Sequence, residues 1–301
     1  HFIIYSRKRG SKMYSPELQA ILDMMKPVPL QGEYNVKARR QRLEQFSKMV
    51  EVAPDVKVRP DMAGSIPVEY VSAPGAAEDR VMIFLHGGSY VQGSLDTHRE
   101  LVSRLARAAC MPVLHVAYRL APETPFPAAV EDAVAAYRWV LAQGFKPEKV
   151  AICGDSAGGG LVLCALAALR DAKDTLPAAA ACLSPWADLS ASLEELLERS
   201  KTDIMLLPEA ILSQASPYLN GADARHPHIS PVYASFKGFP PLLVQVGKNE
   251  MLLKDAKSIE ENARKENVPV ELEIWETGFH GWHAFAQIMP EGQQAINNVG
   301  A

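Results

Sequence analysis

No run of apolar residues in the 301-residue chain approaches the roughly 20 that a helix needs to cross a bilayer. Nor is there an excess of positive charge. Lys and Arg number 31 against 35 Asp and Glu, a formal net charge of −4, which argues against a nucleic-acid surface or a polybasic membrane patch. Cysteine is scarce. Cys110, Cys153, Cys164 and Cys182 are the only four, and none has the spacing of a metal-ligand pair. Cys153 and Cys164 lie in apolar stretches, as buried thiols of a reducing, cytoplasmic setting would, although spacing alone does not exclude a disulfide. Internal repeats and low-complexity runs are absent. What is present is 48% hydrophobic residues, enough for a sizeable core and against long disorder. The sequence begins at His1 without methionine, and its basic residues (Arg7, Lys8, Arg9) follow the apolar ones, the reverse of a secretory signal. Residues 1–12 are therefore expected to be a vector-derived leader, with Met13 as the native start.

Apolar residues recur at helical spacing over 15–25 (Leu18, Ile21, Leu22, Met25) and 36–50 (Leu43, Phe46, Val50), with Pro27, Pro29 and Gly32 between them. These read as two helices, packed on the core or forming part of a lid. A strand pair at 56–58 and 66–71 follows, and then strands and helices alternate. Strands are expected at 80–85, 112–116, 150–153, 178–183, 241–246 and 270–275, and helices at 97–109, 128–141, 161–169 and 255–265. This alternation predicts an α/β fold with a mostly parallel sheet covered on both faces and ligands at the carboxyl ends of its strands. One interruption, 188–239, is too long for a loop within an α/β unit and reads as a helical insertion crossing that carboxyl edge.

The chain is organised around Val150-Ala-Ile-Cys-Gly-Asp-Ser-Ala-Gly158. Gly154-Asp-Ser-Ala-Gly158 is a G-x-S-x-G pattern sitting between an apolar strand and an Ala/Leu-rich helix. A tight turn there lifts the Ser156 hydroxyl clear of the sheet at the positive end of a helix. Upstream, the strand 81–85 ends in His86-Gly87-Gly88-Ser89-Tyr90. Adjacent glycines let backbone N–H groups approach a reacting carbonyl, so Gly87, Gly88 and the Ala157 amide are expected to form an oxyanion hole.

A serine hydroxyl needs a base. Of eight histidines, His280 lies just beyond the last expected strand, which gives the chain order serine, acid, histidine. His283 would instead support the loop or line the pocket. The acid should follow the strand 241–246. Glu250 sits directly in that loop, and Asp255, which also reads as a helix N-cap, is the alternative.

These motifs, with Tyr118-Arg-Leu-Ala-Pro-Glu-Thr-Pro-Phe126 and Leu183-Ser-Pro-Trp-Ala-Asp-Leu189, make the sequence resemble the bacterial hormone-sensitive-lipase family of α/β-hydrolases, in the Gly-Asp-Ser-Ala-Gly group, from Met13 onward. The resemblance implies an α/β-hydrolase domain (51–189 plus 236–301) carrying a helical cap (13–50 plus 190–235), with Ser156 as nucleophile, His280 as base, and Gly87, Gly88 and Ala157 as oxyanion-hole amides. Two positions depart from the family pattern: Ser89 replaces a third glycine, and Glu250 replaces the usual aspartate. Tyr90, Met205, Leu206, Leu207, Tyr218 and Phe279, with Met24 and Met25, are candidate pocket residues, each with core packing as the alternative. Tyr118 to Glu123 and Asp155 would brace the oxyanion loop.

The implied activity is hydrolysis of short- to medium-chain acyl esters through an acyl-enzyme, with no cofactor and no metal. An amidase, lactonase or acyltransferase would use the same site, and a non-catalytic ligand receptor is the rival from another class. A small ester is the expected partner. The alternation of Val270-Glu-Leu-Glu-Ile-Trp275 places that strand at or near the sheet edge, where a second copy could pair in a homodimer. The covering C-terminal helix, so close to the end of the chain, looks shortened.

Overall fold

The computed structural model describes residues 3–5, 14, 19, 23 and 35–301. Among them nine strands form one sheet in the order β1-β9-β8-β7-β6-β4-β5-β3-β2. The strands are β1 (Ile3–Tyr5), β2 (Lys57–Ala63), β3 (Ile66–Ser72), β4 (Val81–Leu85), β5 (Val113–Val116), β6 (Val150–Asp155), β7 (Ala179–Leu183), β8 (Leu242–Gly247) and β9 (Val270–Trp275). The pairs β2–β3 and β3–β5 are antiparallel and the rest are parallel. The helices are α1 (Val36–Ser47), α2 (Leu95–Ala108), α3 (Ala128–Ala142), α4 (Ala157–Asp171), α5 (Leu193–Arg199), α6 (Pro208–Leu219), α7 (Leu253–Lys265) and α8 (Pro290–Gly300).

Strand β4 shows why the core divides in two. Its side chains alternate across the sheet. Val81, Ile83 and Leu85 join the large apolar cluster built with α3, α4 and α7, whereas Met82 and Phe84 join a second cluster with Leu101, Val102 and Leu105 of α2 and Ile296 of α8. Both faces are covered, so β4 is a continuous apolar run rather than an alternating one. Helix α2 starts on a capping box, in which the Ser94 hydroxyl accepts from Thr97 N and the Thr97 hydroxyl accepts from Ser94 N.

The expected elements form, with ends shifted by a few residues. The helix after the serine begins at Ala157, four residues early, because Gly158 to Gly160 are helical here. The expected helix over 15–25 lies largely outside the described residues. The 188–239 interruption holds α5 and α6, as expected of a helical insertion.

Strand β9 lies near the sheet's edge, as expected, and three features surround it. The C-terminal helix is present as α8, and its Asn298 donates to Glu273 (2.8 Å). Glu273 is buried. Residues Ile3–Tyr5 form a parallel neighbour of β9 on its outer side. Strand β9 is therefore second from the edge. Among the described residues no helix is long and apolar enough to cross a membrane.

Candidate active site

Ser156 sits between the end of β6 and the start of α4 with φ 53° and ψ −120°, a conformation that costs a non-glycine residue on the order of 1–3 kcal/mol and persists only when over-determined. Its backbone is held on both sides. Ser156 N donates to Leu183 O (2.8 Å), and Ser156 O accepts from Gly160 N (3.1 Å) and Trp186 N (2.9 Å). The flanking glycines are required sterically: a Cβ on Gly158 would run into the Leu85 carbonyl, and one on Gly154 into the carbonyl of Gly158.

From the serine outward an unbroken hydrogen-bond chain leads to a carboxylate. His280 Nε2 is 2.9 Å from Ser156 Oγ, and His280 Nδ1 is 3.0 Å from Glu250 Oε2. The other oxygen of Glu250 accepts from Gly247 N (2.6 Å) and Ser184 Oγ (2.8 Å), so the carboxylate cannot rotate. Burial acts to lower the His280 pKa, but the Glu250 hydrogen bond and charge, with Asp203 and Asp155 farther off, outweigh it and raise the pKa above its ordinary value. With Nδ1–H donating to Glu250, Nε2 is left as an acceptor aimed at the serine hydroxyl, the arrangement of a general base on a nucleophile.

The oxyanion loop differs from expectation at one residue. Gly87 N donates to Asp155 Oδ1 (2.8 Å). That amide is engaged by a side chain and is not directed into open space as the expectation required. Gly88 (φ 115°) and Ser89 (φ 56°) turn the chain immediately after it, and the amides of Gly88, Ser89 and Ala157 donate to no described residue. Of the bracing roles expected of Tyr118 to Glu123 and of Asp155, contacts to the loop are made by Tyr118, Ala121 and Asp155. Tyr118 Oη donates to His86 O (2.6 Å), and Ala121 N donates to Tyr90 O (2.9 Å). The Asp155 side chain is 15% exposed, and its partial burial alone would raise its pKa. The facing His98 and the Gly87 N–H reverse this and hold it below the ordinary value.

The chain matches the profile of a family described as having the alpha/beta hydrolase fold over residues 82–284. It is 43% identical over 296 residues to an acetyl-hydrolase of Streptomyces hygroscopicus, covering 96% of each chain. It is also similar to the crystal structure of an esterase from the bacterial hormone-sensitive lipase family, at 45% identity and TM-score 0.90, covering 95% of this chain and 96% of that one. This chain belongs to the hormone-sensitive-lipase family. It is a carboxylic-ester hydrolase with the α/β-hydrolase fold. A third relative, the EstE5 structure soaked with p-nitrophenyl butyrate, is 44% identical, with TM-score 0.90 and coverage of 95% and 97%. EstE5 also has a structure with PMSF.

Within this hormone-sensitive-lipase relative, Asp255 is held away from the histidine. Its Oδ2 accepts from the amides of Ala187 and Asp188 (2.9 Å each) and its Oδ1 from Arg199 Nη1 (3.1 Å), so it ties the insertion to the sheet, and the N-cap of α7 is Leu252. Burial raises its pKa to about 7. His283 supports the loop, as expected. Its Nε2 is 2.9 Å from Gln245 Oε1, and Gln245 Nε2 donates to Glu273 and to Ala295 O, which fixes the proton of His283 on Nε2.

The pocket candidates divide. Tyr90 and Tyr218 are completely buried and stacked face to face at 3.9 Å, so they are packing residues and line no open surface. Phe279 lines a cavity of about 250 Å³ beside Glu250, together with Thr202, Asp203 and Ile204. Met205 is half-buried against the Trp275–Phe279 cluster, Leu206 is half-buried against the main core, and Leu207 is half-buried at the start of α6. Met24 and Met25 lie outside the described residues.

Sequence reasoning assigned no role to Ser184, which clamps the Glu250 carboxylate, or to Asp203, whose carboxylate accepts from the amides of Met205 (2.7 Å), Leu206 (2.9 Å) and Met251 (2.7 Å) and so joins the insertion to the Glu250 loop. Nothing in their local spacing marks either residue. Ser184 follows a strand end, a place where a search for acid-holding hydroxyls could have found it.

Proposed function

We propose that Ser156 attacks the carbonyl of a short- to medium-chain acyl ester, that His280 takes its proton and returns it to the leaving alcohol, and that Glu250 orients His280 and stabilises the imidazolium. The Gly88, Ser89 and Ala157 amides stabilise the tetrahedral oxyanion, and water then releases the acid from the acyl-enzyme. The observation that carries this reading is the unbroken Ser156–His280–Glu250 chain of hydrogen bonds, at 2.9 and 3.0 Å. Short acyl chains are supported by the p-nitrophenyl butyrate soak of EstE5. The cap assignment, 13–50 plus 190–235 over the catalytic remainder, belongs to the same proposal. So does a cytoplasmic setting, supported by four free thiols. The test is a series of p-nitrophenyl esters from acetate to palmitate run on wild type and Ser156→Ala. Activity peaking at short chains and lost in the variant is expected; activity retained by Ser156→Ala overturns the reading.

For assembly, we propose a homodimer paired along 270–275. Because β1 occupies that edge of β9, pairing requires β1 to leave. Removing residues 1–12 is expected to raise the dimer fraction measured by sedimentation. A truncated chain that stays monomeric across micromolar concentrations refutes the dimer.

A further inference from the structure

The oxyanion loop is conformationally expensive. Gly88 has φ 115°, and two successive non-glycine residues, Ser89 (φ 56°) and Tyr90 (φ 63°), are also left-handed. A glycine at 89 would adopt that backbone freely and a serine does not, so surrounding contacts must hold the loop in shape. Within the loop, Val91 N and Gln92 N both donate to Gly88 O. From the body of the domain, Tyr118 holds His86 O, Asp155 holds Gly87 N and Ala121 N holds Tyr90 O.

The next carbonyl, Val91 O, is held by the cap. Arg40 of α1 donates from Nε to Val91 O (2.7 Å) and from Nη2 to Ala121 O (2.9 Å). One guanidinium thus joins the far shoulder of the loop to the same residue whose amide secures Tyr90 O. Its plane is fixed by Glu123, which accepts from Nη1 and Nη2 at 2.8 Å each. One turn along α1, Glu44 accepts from Ser94 Oγ (2.6 Å), at the residue that caps α2 directly after the loop. The Glu123 side chain is 62% exposed, so its ion pair with Arg40 contributes little by itself. The two carbonyl contacts are what shape the loop.

We propose that Arg40 is a positioning residue for the oxyanion hole, through which helix α1 sets the Gly88 and Ser89 amides, and that this chain depends on it because residue 89 is not glycine. The inference rests on the proposed serine-esterase mechanism, in which this loop forms the oxyanion hole. A lysine would not substitute, since its ammonium lacks the planar fork that spans two carbonyls and a carboxylate.

The experiment measures kcat, KM and inhibition by an alkyl trifluoromethyl ketone, whose hemiketal oxygen would occupy the hole. It uses wild type, Arg40→Ala, Arg40→Lys, Glu123→Ala, Ser89→Gly and the Arg40→Ala/Ser89→Gly double variant, with p-nitrophenyl butyrate as substrate. Arg40→Ala is expected to lower kcat at least about tenfold, because a donor displaced by an ångström or less forfeits much of its effect. KM should stay within about threefold. Ketone affinity should fall in parallel with kcat. Arg40→Lys is expected to remain low and Glu123→Ala to stay within about threefold of wild type. Ser89→Gly should recover at least about threefold of the kcat lost in Arg40→Ala, a coupling expected of neighbours but not of a general loss of stability.

The proposal is overturned if Arg40→Ala keeps wild-type kcat, if its loss lies wholly in KM, if Ser89→Gly recovers nothing, or if Glu123→Ala loses as much. Should Arg40→Ala not fold, Arg40→Lys with and without Ser89→Gly decides by the same criteria. A failure of the underlying reading is distinguishable, because Ser156→Ala would then stay active; inactive Ser156→Ala beside fully active Arg40→Ala sinks this proposal alone.

Discussion

Replacing Glu250 by Gln preserves shape and removes one charge, and the structure specifies what happens next. Glu250 Oε1 accepts from two donors, Gly247 N (2.6 Å) and Ser184 Oγ (2.8 Å). The glutamine carbonyl oxygen must take that side, because its NH₂ would oppose Gly247 N–H. The NH₂ therefore faces His280 Nδ1, 3.0 Å away in the wild type, and the ring can meet it only with Nδ1 unprotonated. The proton moves to Nε2, which then points a donor at Ser156 and can no longer accept its proton. A wrong tautomer at this position costs on the order of 10⁴-fold in kcat when the rest of the site is intact. The assay is burst and steady-state hydrolysis of p-nitrophenyl butyrate, with circular dichroism to establish folding. A folded Glu250→Gln enzyme within tenfold of wild type would refute the assignment of the acid and the argument from its two donors.

The pH profile follows from the same contact. His280 must be neutral to act, and its pKa is raised above the ordinary value, so kcat/KM should fall as pH drops through that raised value. The stability contributed by the charged pair has the opposite sense, being full below the unfolded pKa and lost as pH rises through the folded one. Urea midpoints and rates measured across pH 5–9 check both; a stability that rises over the interval where His280 loses its proton contradicts the pairing. Asp155→Ala frees the Gly87 amide and is expected to lower kcat by about 10- to 100-fold with a small change in KM, whereas an unchanged kcat would mean that Asp155 does not brace the loop. Asp255→Asn breaks a buried contact to Arg199 and should cost about 2–4 kcal/mol of stability. Its folded fraction should keep kcat within a few-fold, and a catalytic loss as large as that of Glu250→Gln would restore Asp255 as a candidate acid.

Much of the site could be read from residue order because parallel α/β architecture converts order into position. Ser156, Glu250 and His280 each follow a strand of one sheet, and strand ends on one side of a parallel sheet converge. The strand boundaries were legible for the same reason, since strands buried on both faces are continuous apolar runs. Errors arose where a residue's partner is distant in sequence. Gly87 looks like any oxyanion glycine until Asp155, 68 positions on, is seen to take its amide. The burial of Glu273 has no local signature because its partners Asn298 and Gln245 are supplied by other elements. Tyr90 and Tyr218 read as pocket aromatics because nothing local reports that they stack on each other. Arg40 carries no local signal at all, being one of several basic residues on a largely polar helix.

The central claim is that Ser156 is the nucleophile. Its most direct test is to react the folded enzyme with a fluorophosphonate and locate the adduct by peptide mass spectrometry. A single phosphonyl group on the peptide containing Ser156, formed at a rate that falls sharply in His280→Ala and Glu250→Gln, is the expected result. An adduct on a different residue, or an enzyme that stays active and unlabelled, would contradict it.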